Sequence, residues 1–242
     1  MSRRLDWPAC RNVRDLGGLP TTDGAFVRDR ALIRADSLDR LTPDGLRLLK
    51  ELGVSRILDL RNPDEAAVTT HPFSADTDLY RLVPMIDPRR ERLRDRSKER
   101  TLGDVYANSL DRNVRSIVDG LASLADAPDG TVVVHCAVGK DRTGMIVALS
   151  LSLAGVPDDV IAEDYALSAE CLREEFELFL AGVSDETERE RLRDRMSSRP
   201  ETMLHMLSHL RKQHGDAEGY ALAHGLSPEH IKRIRDRLRT DS

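Results

Sequence analysis

The feature that most limits what this chain can become is a run of β-branched residues, Thr131-Val132-Val133-Val134, behind an Asp129-Gly130 turn signal and directly ahead of His135-Cys136-Ala137-Val138-Gly139-Lys140-Asp141-Arg142-Thr143-Gly144. A short continuous run of this kind reads as a strand buried on both faces, which is the habit of parallel sheets. The apolar stretch from Gly144 to Ala154, stopped by Gly155, reads as a buried helix. The ten residues between them must turn tightly, so that consecutive backbone N–H groups converge at the positive end of a helix dipole. The expectation is an α/β fold with an anion site at a strand end and a thiol at its mouth.

Spacing within the loop carries the chemistry. Cys136 stands six positions before Arg142, so its sulfur can lie at the bottom of a cup rimmed by the N–H groups of Ala137, Val138, Gly139, Lys140, Asp141 and Arg142. The planar Arg142 fork and these amides fit the oxygens of a phosphate, and the sulfur faces phosphorus for in-line attack. The same positive field favours thiolate over thiol. The Thr143 hydroxyl could hydrogen-bond the sulfur and improve it as a leaving group. A buried structural cysteine at a strand end is the plain alternative. The strand before, the helix after and Gly139 within the loop argue against it. Two further readings stay open: sulfur transfer through a persulfide, and a phosphate-binding module without turnover. Arg142-Thr143-Gly144 favours phosphate over sulfur transfer, and a candidate acid beside Cys136 and Arg142 favours turnover.

The decapeptide resembles the signature loop of cysteine-dependent phosphatases, and its Gly-Lys-Asp-Arg-Thr-Gly form is similar to that of the bacterial tyrosine-protein phosphatase family. Asn12-Val13-Arg14-Asp15-Leu16-Gly17-Gly18, Leu32-Ile33-Arg34-Ala35-Asp36 and Ile57-Leu58-Asp59-Leu60-Arg61 resemble family motifs in the expected order, as do the surroundings of Gly215, Tyr220 and Leu226-Ser227. The resemblance implies a central, mostly parallel sheet flanked by helices, with a helical C-terminal half. It also implies phosphomonoester hydrolysis through a cysteinyl-phosphate on Cys136, with no cofactor and no metal. A phosphotyrosine protein is the expected substrate, and a phosphoinositide, through dual specificity, the alternative. Members with Lys-Asp in the loop point to Asp141 as general acid, whereas a separate mobile loop would supply Asp87 instead. Lys140 would add positive charge for a second phosphate or headgroup, and His135 would anchor the loop. Arg14 or Asp15 could border the site. Asp59 and Arg61, at the carboxyl end of a strand, would face the cup or brace it by a salt bridge, bracing being preferred.

At 242 residues the chain can build one sizeable core, so 1–242 is expected to form a single domain with room for a helical lid or insertion around 169–199. A net charge of −5 argues against a nucleic-acid binder acting by bulk charge. Three cysteines, Cys10, Cys136 and Cys171, do not make a disulfide framework and suit a reducing compartment. No apolar run reaches the ~18 residues of a membrane span or forms a conventional signal peptide. The expectation is a soluble protein, cytoplasmic or exported by another route. The sequence leaves oligomeric state open.

Elsewhere, Phe26 to Ala35 reads as a hairpin added antiparallel at a sheet edge. Thr42 suits an N-cap with Pro43 at the first helical position, ahead of a helix ending at Gly53 and a strand from Val54 to Leu60. Leu79 to Ile86 is a further strand, ended by Asp87-Pro88. Arg89 to Arg100 holds seven basic and three acidic residues and reads as a solvated surface or a basic rim. Val105 to Leu124 has the pattern of one long amphipathic helix. Ser184 to Arg199 is nearly all charge. Met203, Met206, Leu207 and Leu210 form an apolar stripe, and Ser227-Pro228 opens a last helix carrying Ile231, Ile234 and Leu238.

Overall fold

The computed structural model describes residues 3–69 and 71–240. Five strands, β1 (Arg14–Asp15), β2 (Leu32–Ala35), β3 (Val54–Asp59), β4 (Tyr80–Leu82) and β5 (Thr131–His135), form one sheet in the order β1-β2-β5-β3-β4. All neighbours are parallel except β1 and β2. The helices are α1 (Pro43–Glu51), α2 (Pro63–Ala66), α3 (Pro88–Glu91), α4 (Leu102–Arg112), α5 (Val114–Ala125), α6 (Asp141–Leu153), α7 (Asp158–Cys171), α8 (Arg173–Ala181), α9 (Glu186–Met196), α10 (Pro200–His214), α11 (Ala217–Ala223) and α12 (Pro228–Leu238). The C-terminal half is thus helical.

β5 lies at the middle of the sheet because every one of its residues is buried. Val132 and Val134 pack into a large core with Leu58, Ile146 and Leu149, while Val133 joins Ile33, Ile57 and Leu49 on the other face. This period-two division between two covered faces lets a β-branched run pay for both layers at about 1.5–3 kcal/mol per side chain. Local chemistry sets the flanks. Thr42 Oγ1 accepts from the Gly45 N–H at 3.4 Å with Pro43 in the first turn, and Gly53 follows the helix at φ 65°. Met203, Met206, Leu207 and Leu210 are buried on α10, as are Ile231, Ile234 and Leu238 on α12.

Four expectations need correction. Leu32–Ala35 is an interior strand, parallel to β5 and buried throughout; the antiparallel edge belongs to Arg14–Asp15. The long helix over 105–124 is two, broken at Asn113, whose φ/ψ of −105°/23° is not helical. Its side chain explains the break: Oδ1 accepts from the Asp87 N–H at 2.9 Å, and Nδ2 donates to Glu91 and Ser109 at 3.0 Å each. The strand at 79–86 shrinks to Tyr80–Leu82. The helix after the signature loop starts at Asp141 rather than Gly144. Among the described residues no helix is long and apolar enough to cross a membrane.

Candidate active site

The loop leaves the carboxyl end of β5 in the crevice between β2 and β3, and α6 closes it with the Gly144 N–H donating to the Lys140 carbonyl at 2.9 Å. Asp141, Arg142 and Thr143 occupy the first turn of α6, where N–H groups lack helical acceptors. The rest of the loop is fixed from behind by its carbonyls. The Ser37 N–H donates to Ala137 O at 3.0 Å, Asn12 Nδ2 to Val138 O at 2.9 Å, and Arg34 Nη2 to Gly139 O at 2.8 Å. In a trans peptide the next N–H points opposite the carbonyl, so anchoring three carbonyls outward turns the amides of Val138, Gly139 and Lys140 inward. Gly139 permits the close approach: at φ 66°, a Cβ there would meet Ala35 O at 2.4 Å. Cys136 sits at the base, 1 % exposed.

The anchors are themselves held. Asp164 on α7, 1 % exposed, accepts from Arg34 Nη1 at 2.8 Å, Arg14 Nε at 3.0 Å and Arg3 Nη1 at 2.7 Å. Burial opposes its charge, but the Arg14 and Arg34 guanidiniums outweigh burial and hold the carboxyl well below the usual range. Arg14 also donates to Asn12 Oδ1 at 2.6 Å, so it reaches the loop through Asn12. Asp15 accepts the N–H groups of Gly17 at 3.0 Å and Arg30 at 2.9 Å, bracing a turn.

Arg142 directs Nη1 and Nη2 to the two oxygens of Glu65 on α2, at 2.5 and 2.8 Å. Burial opposes its charge, yet Glu65, Cys136 and Asp141 together raise its pKa. Arg61 bridges Asp59 and Asp39, with Nη2 2.7 Å from Asp59 Oδ2 and Nη1 2.5 Å from Asp39 Oδ2, and Tyr80 donates to Asp59 Oδ2 at 2.8 Å. Asp59 and Arg61 therefore form a salt bridge that braces the strand end. His135 is buried, with Nδ1 3.2 Å from Cys136 O and its ring stacked on His71 at 5.3 Å. Burial lowers both imidazoles, His71 to about 4. The Thr143 hydroxyl is buried without a hydrogen-bond partner among the described residues, Cys136 included.

Two loop side chains face what covers the cup. Lys140 is buried and gives its ammonium to the carbonyls of Arg195 at 2.8 Å and Ser197 at 3.0 Å, beside the end of α9. Asp141 Oδ1 accepts from Tyr106 at 2.5 Å and lies 3.3 Å from Lys140 Nζ. Asp87 caps α3 through the Arg89 N–H at 2.8 Å. Beside the loop lies a cavity of about 750 Å³, lined by Val138, Asp141, Arg142, Tyr106 and Met145, by Phe176 of α8 with Leu192 and Met196 of α9, and by Arg94, Arg96 and Arg100. A second cavity, about 640 Å³, opens beside residues 28–31 and 233–237, with no residue of the 136–142 loop in its walls. The first borders that loop through Val138, Lys140, Asp141 and Arg142.

Asn12, Arg34, Glu65, Tyr106 and Asp164 were not among the expected site residues. Asn12 and Arg34 lie inside recognised motifs, which was the available signal; Glu65, Tyr106 and Asp164 carried none.

Residues 5–240 match the tyrosine phosphatase family model. The chain is similar to a tyrosine-protein phosphatase of Nostoc commune, 32 % identical over 228 residues that cover 90 % of this chain and 78 % of that one. It is also similar to the triple specificity protein phosphatase PtpB of Mycobacterium tuberculosis, 26 % identical over 269 residues covering 94 % and 96 % of the two. A match that runs from before β1 to beyond α12 takes in the whole sheet, the signature loop and the helical half, and the chain belongs to the tyrosine phosphatase family.

Proposed function

We propose that the chain hydrolyses phosphotyrosine in proteins through a cysteinyl-phosphate on Cys136. The observation that carries this reading is the set of outward-anchored carbonyls at Ala137, Val138 and Gly139, which supports an inward ring of amides above the sulfur. The Cys136 thiolate attacks phosphorus, the bond from phosphorus to the leaving oxygen breaks, and Asp141 gives that oxygen its proton. The loop amides and Arg142 hold the equatorial oxygens as charge moves through them. Asp141, now a carboxylate, takes a proton from water; the water oxygen attacks phosphorus, the sulfur–phosphorus bond breaks, and phosphate and thiolate are released. Asp141 is favoured over Asp87 because it borders the cavity, whereas the Asp87 carboxylate is engaged in capping α3.

Tyr106, Met145, Phe176, Leu192 and Met196 give the cavity apolar walls suited to an aryl ring. α8 and α9 act as a lid over it, a reading supported by Phe176, Leu192 and Met196 lining the cavity while α9 itself has no buried residue. One observation favours phosphoinositides as a second substrate class: Arg96, Arg100 and Arg195 line the same cavity, each without a carboxylate ion-pair partner among the described residues.

The test is phosphate release from matched phosphotyrosine peptides, phosphoserine peptides and phosphoinositides, with Cys136→Ser as control. Release from the tyrosine peptides that disappears in the variant is expected. Release unaffected by Cys136→Ser would overturn the reading.

A further inference from the structure

Asp141 has two carboxylate oxygens, and in proton transfer only one of them faces the leaving group. The structure distinguishes them. Oδ1 lies 2.5 Å from the Tyr106 hydroxyl and 3.3 Å from Lys140 Nζ, whereas no hydrogen bond reaches Oδ2 among the described residues. Tyr106 is 2 % exposed on α4, and its hydroxyl is 2.9 Å from that of Tyr165 on α7, with the rings edge to face at 6.0 Å. Burial and the nearby Asp141 charge keep both phenols protonated. Each phenol has one proton to give. The order that serves the carboxylate, the strongest acceptor of the three, runs from Tyr165 to Tyr106 and from Tyr106 to Asp141 Oδ1.

We propose that Tyr106 is a positioning residue for the proton transfer: by donating to Oδ1 it confines the transferable proton of Asp141 to Oδ2 and fixes that oxygen toward the cavity, with Tyr165 orienting the Tyr106 hydroxyl. The proposal builds on the reading of Asp141 as general acid. In the first step the Oδ2–H bond breaks and its proton goes to the leaving oxygen, while the electron pair stays on the carboxylate. The charge that appears on Oδ1 meets a hydrogen bond already in place, so no group has to reorganise during transfer. In the second step Oδ2 recovers a proton from the attacking water. Tyr106 itself neither gains nor loses a proton in either step.

Tyr106→Phe keeps the ring and removes only the donor. It should lower kcat/KM for phenyl phosphate, whose leaving group needs the proton, by about tenfold, the worth of one hydrogen bond to a charged group. It should leave p-nitrophenyl phosphate, whose leaving group does not, nearly unchanged. In an Asp141→Asn background the same substitution should have no further effect on either substrate. Tyr165→Phe should act in the same direction by about threefold; it tests the relay independently if thermal melting shows that Tyr106→Phe is misfolded. An equal loss on both substrates, or an undiminished loss in the Asp141→Asn background, would overturn the proposal. If Asp141→Asn itself slows both substrates equally, the general-acid reading fails instead, which the single Asp141 variant reveals by itself.

Discussion

Arg142 gives both terminal nitrogens to one carboxylate, that of Glu65, in a paired contact at 2.5 and 2.8 Å. The guanidinium is a rigid plane with five donors, so fixing its end fixes the direction of the remaining N–H groups. Glu65 is in turn held, because Oε2 also accepts the Asn62 N–H at 2.9 Å at the start of α2. The orientation of the oxyanion fork is therefore set by a helix that follows β3, not by the loop alone.

Glu65→Gln keeps a side-chain oxygen able to accept the Asn62 N–H but replaces the charged two-oxygen acceptor with a neutral one-oxygen acceptor. It should lower kcat/KM by about tenfold and weaken inhibition by inorganic phosphate, with little change in melting temperature. Steady-state kinetics with phosphate as competitive inhibitor checks this. Unchanged phosphate inhibition would mean that Arg142 orients itself without Glu65.

Stability should fall in acid, through two buried carboxylates. Burial opposes the charge of Asp59, but hydrogen bonds from Arg61 and the charges of His135 and Arg61 prevail and hold it at about 2. Asp164 is depressed as well. Both folded values lie below the ~3.9 of an unfolded aspartate, so the unfolded chain binds more protons as pH falls. The stability they provide is fully present above about pH 5 and is lost as pH drops toward about 2, Asp59 alone accounting for about 2–3 kcal/mol. Denaturant midpoints measured from pH 7 to pH 2 should show this decline, and Asp59→Asn should flatten it. At neutral pH, Asp164→Asn should cost about 3–5 kcal/mol, because it leaves buried guanidiniums uncompensated.

Lys140→Met should loosen the segment that follows α9. The ammonium of Lys140 holds the carbonyls of Arg195 and Ser197, and α9 itself contributes no buried residue. Limited proteolysis should cut faster within 184–199 in the variant, with a small change in melting temperature. An unaltered cutting rate would indicate that the segment is retained by its apolar contacts.

The sheet and its loop were readable because their signals are local. A β-branched run, the glycine at position 139 and the Thr42-Pro43 cap each act within a few residues. The break at Asn113 was not readable, since the apolar period continues through it and the side chain's partners, Asp87 and Glu91, come from another element. Leu32–Ala35 passed for part of an edge hairpin because four residues with an arginine among them do not state how many neighbours the strand has. Tertiary pairing also decided the fate of Arg14, whose partner lies 150 residues away. A solvated arginine and a buried one look alike in sequence.

The manner in which the loop is held has a consequence for transplantation. Its carbonyls are gripped by Asn12, Arg34 and the Ser37 backbone, and Arg34 is gripped by Asp164. Ten residues copied onto another strand–helix junction would arrive without these holders, and nothing would keep their peptide planes facing one way. The portable unit is not a motif but a set of four sequence neighbourhoods spread over more than 150 positions, which must move together to carry the activity.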